Sequence, residues 1–255
     1  MGNVDFRIKM KISGAKCGLK CTRVEYSLNL ILKLSMSDQG IRDFIQHDRH
    51  DFHSPPLLES DAPKHPMQLF ERWFAEVIEA KLDEPYAFSL ATADRDTHQP
   101  SLRVVYMRDI RPEGIVFYTN YSSEKGSQLD GNSQFSANFF WSAFHRQVRM
   151  GGEAVRLPAS DSDTYFASRP RESQLGAWAS HQSEVINGRA MLSERLSEIE
   201  KRFDGQMVPR PDFWGGYLLR AKYFEFWQGR ESRLHDRLVY RQIENDFWTL
   251  NRLSP

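Results

Sequence analysis

Between Trp227 and Tyr240 the chain reads WQGRESRLHDRLVY, where Arg230, Arg233 and Arg237 flank His235. If residues 233–240 are extended, side-chain alternation puts Arg233, His235 and Arg237 on one face. Three such groups side by side repel one another unless an anion meets them. Isolated bases recur elsewhere: Arg103 and Arg108 in SLRVVYMRD, Lys125 in SSEKGSQ, and Arg169 and Arg171 with Ser173 in SRPRESQLGAW. Each alone is an ordinary solvated charge or a partner for an acid. Together they lie beside β-branched, aromatic or glycine-rich sequence rather than in long charged helices. Lys125 falls where a helix should begin, and free amides there favour phosphate. Arginine fits phosphate by a two-pronged hydrogen-bond geometry. The pattern points to two phosphorylated small molecules rather than one polymer. Gln147 in RQVRM, Gln182 and Ser183 in SHQSE, and Trp227 supply amide, hydroxyl and flat surfaces suited to a planar heterocycle. Core packing is the plainer explanation for at least two of Trp178, Trp214 and Trp227.

The elements that must position these groups follow from periodicity. HPMQLFERWFAEVIEAKL has apolar residues at Met67, Phe70, Phe74, Val77, Ile78 and Leu82, an amphipathic helix. Short alternating runs follow: YAFSLATAD, SLRVVYMRD, IVFYTN, QFSANFFW and RQVRMGGEAVRL, with tight turns between them. They predict an antiparallel sheet closing into a barrel. The glycine pair in MGGEAV reads as a bulge. SSEKGSQLDGN predicts one short helix capped by Ser122 or Ser123. After Pro158 the pattern is helical, through SDSDTYFASRP and GRAMLSERLSEIEKRF; strands return at GGYLLRAKYFEFWQ, RLHDRLVYRQ and DFWTLNRL. The fold class is mainly β with flanking helices.

Composition narrows the function. The 255 residues carry 34 basic and 34 acidic side chains, so a general nucleic-acid binder is disfavoured and any anion site must be local. Only two cysteines occur, Cys17 and Cys21, with no second pair to complete a zinc site. His47, His50 and His53 recur every third residue but read as a polar arm, so no metal is expected. No run approaches the ~20 apolar residues of a membrane span, which gives a cytoplasmic expectation. No Walker loop, G-x-G-x-x-G or G-x-S-x-G is present, so a nucleotide cofactor would not be held in Rossmann fashion. The expected organisation is an N-terminal extension, 1–35, disordered or not native; a mobile arm, 36–65; and one domain, 66–255. Met36 is a candidate natural start.

The motifs LFERWF, VFYTN, RQVRM.G.A, YFASRPRESQLGAWAS.QS, FWGGY, EFWQG, RLHDR and the final W...RLSP occur in order from about Met67 to Pro255. Together they closely resemble the pyridoxamine 5′-phosphate oxidase family. The resemblance implies an FMN-binding split β-barrel and a homodimer with FMN at the subunit interface. It implies oxidation of pyridoxamine or pyridoxine 5′-phosphate to pyridoxal 5′-phosphate, with O2 reduced to H2O2. Carried over by position, the FMN contacts are Arg103, Val104, Val105, Tyr106, Met107, Arg108, Tyr118, Thr119, Lys125, Gln147, Gln182, Ser183, Trp227 and Arg237. The substrate contacts are Arg108, Tyr165, Arg169, Ser173, Arg233, Leu234 and His235, with Arg49 from the arm. Arg233 and His235 would close over the reacting ring. Three positions depart from the family pattern: Arg108 for a common Lys, Glu124 for a common base, and Phe52 for a common Tyr. Two alternatives stand beside this reading, a split-barrel flavin reductase and a non-catalytic flavin or pyridoxal-phosphate binder.

Overall fold

The computed structural model describes residues 37–48, 51–244 and 246–255. The expectations for residues 1–35, Met36, Arg49 and His50 lie outside them. Two compact units divide after His50. The first contains helix α1 (Asp38–His47), capped by Ser37, whose hydroxyl accepts from the Gly40 amide.

The second unit, Asp51–Pro255, holds the sheet. Helix α2 (Pro66–Glu79) begins with proline in its first turn, where no amide hydrogen is needed. It buries Met67, Leu69, Phe70, Trp73 and Val77 against the sheet. Ile78, expected on that stripe, is half exposed, and Trp73 takes the inward place. Then come β1 (Ala87–Ala93), β2 (Pro100–Tyr106), β3 (Asp109–Arg111), β4 (Gly114–Asn120), α3 (Glu124–Gly131), β5 (Gln134–Trp141) and β6 (Arg146–Arg156). Helices α4 (Ala159–Ser168), α5 (Arg171–Ala179) and α6 (Arg189–Arg202) follow. The chain ends in β7 (Trp214–Gln228), β8 (Asp236–Glu244) and β9 (Phe247–Arg252).

All strand pairs are antiparallel, in the order β2-β1-β5-β6-β7-β4-β3, with β8 on β7 and β9 on β8. β2 and β3 lie at opposite ends of that path, yet only Met107 and Arg108 separate them in sequence. A link this short forces the sheet to curl on itself. The link is tied to both sides: the Met107 amide donates to Tyr86 O and the Arg108 amide to Val116 O. Phe88, Leu90, Phe117, Phe139, Val148, Met150, Leu219, Phe224 and Phe226 fill the interior and are almost wholly buried. The register slips between Gly151 and Gly152, as the glycine pair predicts. A side chain at Gly152 would collide with Arg220 O.

Residues 51–65, read from the sequence as part of an arm, pack with the sheet unit. Leu57 is buried in the core, Tyr240 Oη donates to Pro63 O, and Arg252 bonds Leu57 O, both Glu59 oxygens and Asp236. Among the described residues no helix is long and apolar enough to cross a membrane, and no cluster of His, Cys, Asp or Glu could hold a metal ion.

Candidate functional site

Two neighbouring clefts share a wall beside the barrel strands β2 and β4. The first, about 440 Å³, is lined by Ser101, Leu102, Arg103, Val104, Val105, Thr119, Glu124, Lys125, Gln182 and Ser183. Alternation along β2 puts Arg103 on its half-buried face, opposite Leu90 of β1 in register. Its guanidinium donates to Thr92 Oγ1 at 2.5 Å and to Gln128 Oε1 at 3.4 Å. Lys125 is buried at the start of α3, 3.0 Å from Gln182 Oε1, 3.3 Å from Ser123 Oγ and 3.4 Å from Thr119 Oγ1. All its partners are neutral. Burial pulls its ammonium down to about 8, Arg103 adds to this, and Glu124 opposes it.

Ser123, fully buried, caps α3: its Oγ accepts from the Gly126 amide and donates to Asn120 O. Ser123→Ala should cost about 1–2 kcal/mol in denaturant unfolding, as a lost cap whose hydroxyl also meets Lys125. An unchanged midpoint would show the cap to be dispensable.

The second cleft, about 310 Å³, is lined by Thr119, Asn120, Arg169, Ser173, Gly176, Ala177, Ser180, Gln182 and Trp214. Thr119 and Gln182 belong to both clefts and hydrogen-bond to each other at 3.1 Å. Arg169 follows α4 and stacks 4.6 Å over Trp214, with its Nη1 buried and without a hydrogen-bond partner among the described residues. Burial weakens its hold on the proton; Tyr165 opposes this and Arg108 adds to it. Arg108, in the barrel-closing link, lies over the Tyr86 and Tyr106 rings. Tyr118 and Tyr165 stack in parallel at 3.8 Å, and burial pushes the Tyr118 hydroxyl up to about 12. Neither tyrosine lines a cleft. Met107 is in the core and Tyr106 donates to Glu84, so these two expected cofactor residues stand away from the clefts.

A third group lies at the far end of β7. Phe140, Gln147, Trp227 and Arg237 are directly opposed across β5, β6, β7 and β8, and so share one sheet face. Arg233 and His235 do not lie on an extended strand. Residues 231–233 form a single 3-10 turn, Ser232 and Arg233 take left-handed backbone (φ 54° and 61°), and β8 begins only at Asp236. Alternation therefore does not align them with Arg237. Arg233 and Leu234 are exposed, and Arg233 makes no hydrogen bond or ion pair within the described residues. His235 packs 4.7 Å from Trp227 and 5.7 Å from Phe52, which also touches His145. The Arg230 amide donates to His235 Nδ1 at 3.1 Å. Nδ1 is thus an acceptor, and the neutral ring carries its proton on Nε2. Burial lowers the imidazole's proton affinity, and the Arg233 charge lowers it further.

Arg237 answers part of the question raised by the arginine cluster: its anion is the protein's own Glu225. That carboxylate is nearly fully buried and receives Arg237 Nε at 2.8 Å, Arg149 at 3.0 Å and Tyr223 Oη at 2.7 Å. Burial alone would raise its pKa; the Arg237 and Tyr223 hydrogen bonds and the two arginine charges bring it below the usual range. Arg237 Nη1 also holds Ser254 O. Thr92 and Gln128 hold Arg103, and Glu225 holds Arg237; sequence reasoning missed all three. The signal for Glu225 is a lone acid in the apolar strand run YFEFW; Thr92 and Gln128 carry none.

Along β7, the third group stands far from the Thr119 wall of the clefts. Thr119 pairs with Gly215 at one end of β7, and Gln147 with Trp227 near the other. Twelve residues of strand, about 40 Å of contour, separate them.

Comparison with known proteins adds family information. The family model for pyridoxamine 5′-phosphate oxidase matches residues 74–203, and that for the pyridoxine 5′-phosphate oxidase C-terminal dimerisation region matches residues 214–255. A pyridoxine/pyridoxamine 5′-phosphate oxidase of Rubrobacter xylanophilus is 46% identical over 85% of this chain and 99% of its own length. One from Trichormus variabilis is 44% identical over 81% and 96%. Among solved structures, PhzG from Burkholderia lata 383, in complex with tetrahydrophenazine-1-carboxylic acid, is 31% identical with a TM-score of 0.73, over 79% of this chain and 99% of that one. A pyridoxamine 5′-phosphate oxidase-related, FMN-binding protein from Nostoc punctiforme shares the fold at 13% identity, with a TM-score of 0.59 over 73% and 97%.

Proposed function

The chain belongs to the pyridoxamine 5′-phosphate oxidase family of oxidoreductases, and from that membership we propose that it oxidises pyridoxamine or pyridoxine 5′-phosphate to pyridoxal 5′-phosphate, using FMN and O2 and releasing H2O2. The observation that carries this reading is the pair of clefts sharing Thr119 and Gln182, each with a buried cation that makes no ion pair among the described residues. Lys125 is buried among neutral oxygens, and Arg169 holds a buried Nη1 with no acceptor. Buried cations left unpaired are costly, and a phosphate in each cleft would offset that cost. The flavin phosphate belongs with Lys125, Arg103 and Ser183, and the substrate phosphate with Arg169, Ser173 and Arg108. FMN would supply a hydride acceptor that oxygen can reoxidise.

The protein's own work is orientation. Two anchored phosphates fix two rings relative to one another, which turns binding energy into alignment. Trp227, Gln147, Arg237, Arg233 and His235 complete the site from a second copy of the chain, since β7 sets Trp227 twelve residues from the partner of Thr119. The match to a dimerisation region over 214–255 agrees with that arrangement. With Nδ1 engaged by the Arg230 amide, His235 presents Nε2–H as a donor. This favours a positioning role over a general base. Arg233, without a hydrogen bond or ion pair among the described residues, faces the substrate beside it.

The direct experiment incubates purified protein with FMN and pyridoxamine 5′-phosphate under air, following pyridoxal 5′-phosphate and peroxide. Absence of both with FMN bound would overturn the reading, as would equal turnover of phosphate-free pyridoxamine. Flavin affinity should also fall as pH rises through about 8, by up to about ten-fold per unit. The protonated ammonium binds the phosphate, so deprotonation of Lys125, which faces Arg103 and Glu124, removes a contact. The phosphate's own second ionisation, near 6, is complete by then. A flat profile from pH 7 to 9.5 would remove Lys125 from the phosphate site.

A further inference from the structure

Glu124 stands at the mouth of the Lys125 cleft, at the first residue of α3. Its Oε1 accepts from Ser101 Oγ at 2.7 Å and from Gln128 Nε2 at 3.1 Å, and its amide donates to Ser183 Oγ at 3.2 Å. Gln128 in turn holds Arg103 and Thr92 through Oε1. The carboxylate therefore takes up donors at the place where a phosphate would use them. It is also the one acid whose charge acts on both Arg103 and Lys125. The Ser101 hydrogen bond leads the effects that hold its pKa below the usual carboxylate range; burial opposes it, and Gln128, Arg103 and Lys125 assist. An acid in the first turn favours the helix itself. The same charge repels a dianion bound alongside.

We infer that Glu124 is an internal competitor for the cofactor phosphate, and that it sets how strongly this cleft prefers a phosphorylated flavin over a phosphate-free one. The inference rests on the reading that the cleft holds FMN. A bound phosphate must share Ser101, Ser183 and the α3 amides with the carboxylate, or displace it toward solvent. Riboflavin, lacking the phosphate, meets no such opposition. Glu124 thus lowers retention of FMN without touching the ring's contacts.

The test titrates flavin-free protein with FMN and with riboflavin, following quenching of flavin fluorescence, for wild type, Glu124→Gln and Glu124→Lys. Glu124→Gln keeps an oxygen for Ser101 and removes the charge. It should tighten FMN about ten-fold at low salt and leave riboflavin unchanged, and Glu124→Lys should tighten FMN further. The gain should shrink toward unity at about 0.5 M salt, as expected of a screened exposed charge. Thermal unfolding of the flavin-free proteins identifies any variant that fails to fold, and either variant alone suffices. An FMN-to-riboflavin affinity ratio unaltered by both substitutions overturns the inference and leaves the FMN reading standing. FMN bound by none of the three proteins overturns both.

Discussion

Arg169→Met raises the KM for pyridoxamine 5′-phosphate about 100-fold, equivalent to roughly 3 kcal/mol, while FMN affinity changes by less than about three-fold. The size follows from what the guanidinium lacks. Among the described residues its Nη1 is buried without an acceptor, and the Arg108 charge that acts on it is a like one. The free protein holds this cation at a cost, and the substrate phosphate removes that cost on binding. The same logic gives stability the opposite sign. Methionine can keep the contact with Trp214 and Phe166 and buries no charge. The flavin-free variant should therefore unfold at the wild-type temperature or a few degrees above it. Steady-state kinetics and calorimetry on one preparation check both halves. Loss of flavin with an unchanged KM would reassign Arg169 to the cofactor cleft.

A mixture of Arg169→Met and Arg233→Ala chains, each nearly inactive at low substrate, should recover about a quarter of wild-type kcat/KM when unfolded and refolded together. Arg169 lies in the clefts and Arg233 beyond the far end of β7. If each site draws one residue from each copy, half of the randomly paired dimers are mixed. Each mixed dimer then has one site with both changes and one with neither. A site built within one chain predicts no recovery, because every chain carries a lesion. Arg233→Ala alone should weaken substrate binding by roughly 1.5–3 kcal/mol and spare the flavin, as loss of a charged hydrogen-bonding group.

Much of this molecule can be read from its residues, and the failures have physical causes. Helix α2, the Ser123 cap and the Gly151–Gly152 bulge follow from local rules: periodicity, side-chain capping and missing side chains. The alignment of Arg233 with Arg237 failed because Ser232 and Arg233 adopt left-handed backbone in a stretch whose composition does not demand it. The Glu225 partner of Arg237 was hidden because it depends on which residues of β7 and β8 face each other. Residues 51–65 looked like a linker because their anchors, Tyr240 and Arg252, are 177 and 195 positions away. The family resemblance pointed to Arg103, Val104, Val105, Thr119, Lys125, Arg169, Ser173, Gln182 and Ser183 among the residues that line the clefts, and left out Ser101, Asn120, Ser180 and Trp214. It did not show that Thr119 and Gln182 are a common wall, or that β7 is long enough to hold the two groups apart.

The place of β7 in the sheet also governs how the molecule is made. One half-sheet, β2-β1-β5-β6, and the other, β4-β3, have no hydrogen-bonded strand between them except β7. Emerging from a ribosome, the chain can form both halves long before residues 214–228 exist. Until then the pairing edges of β4 and β6 stay bare, and each is a ready template for a neighbouring nascent chain. Closure must await a late segment that reaches back to β4 across roughly 100 residues, a demand that sets slow folding and an early need for chaperones.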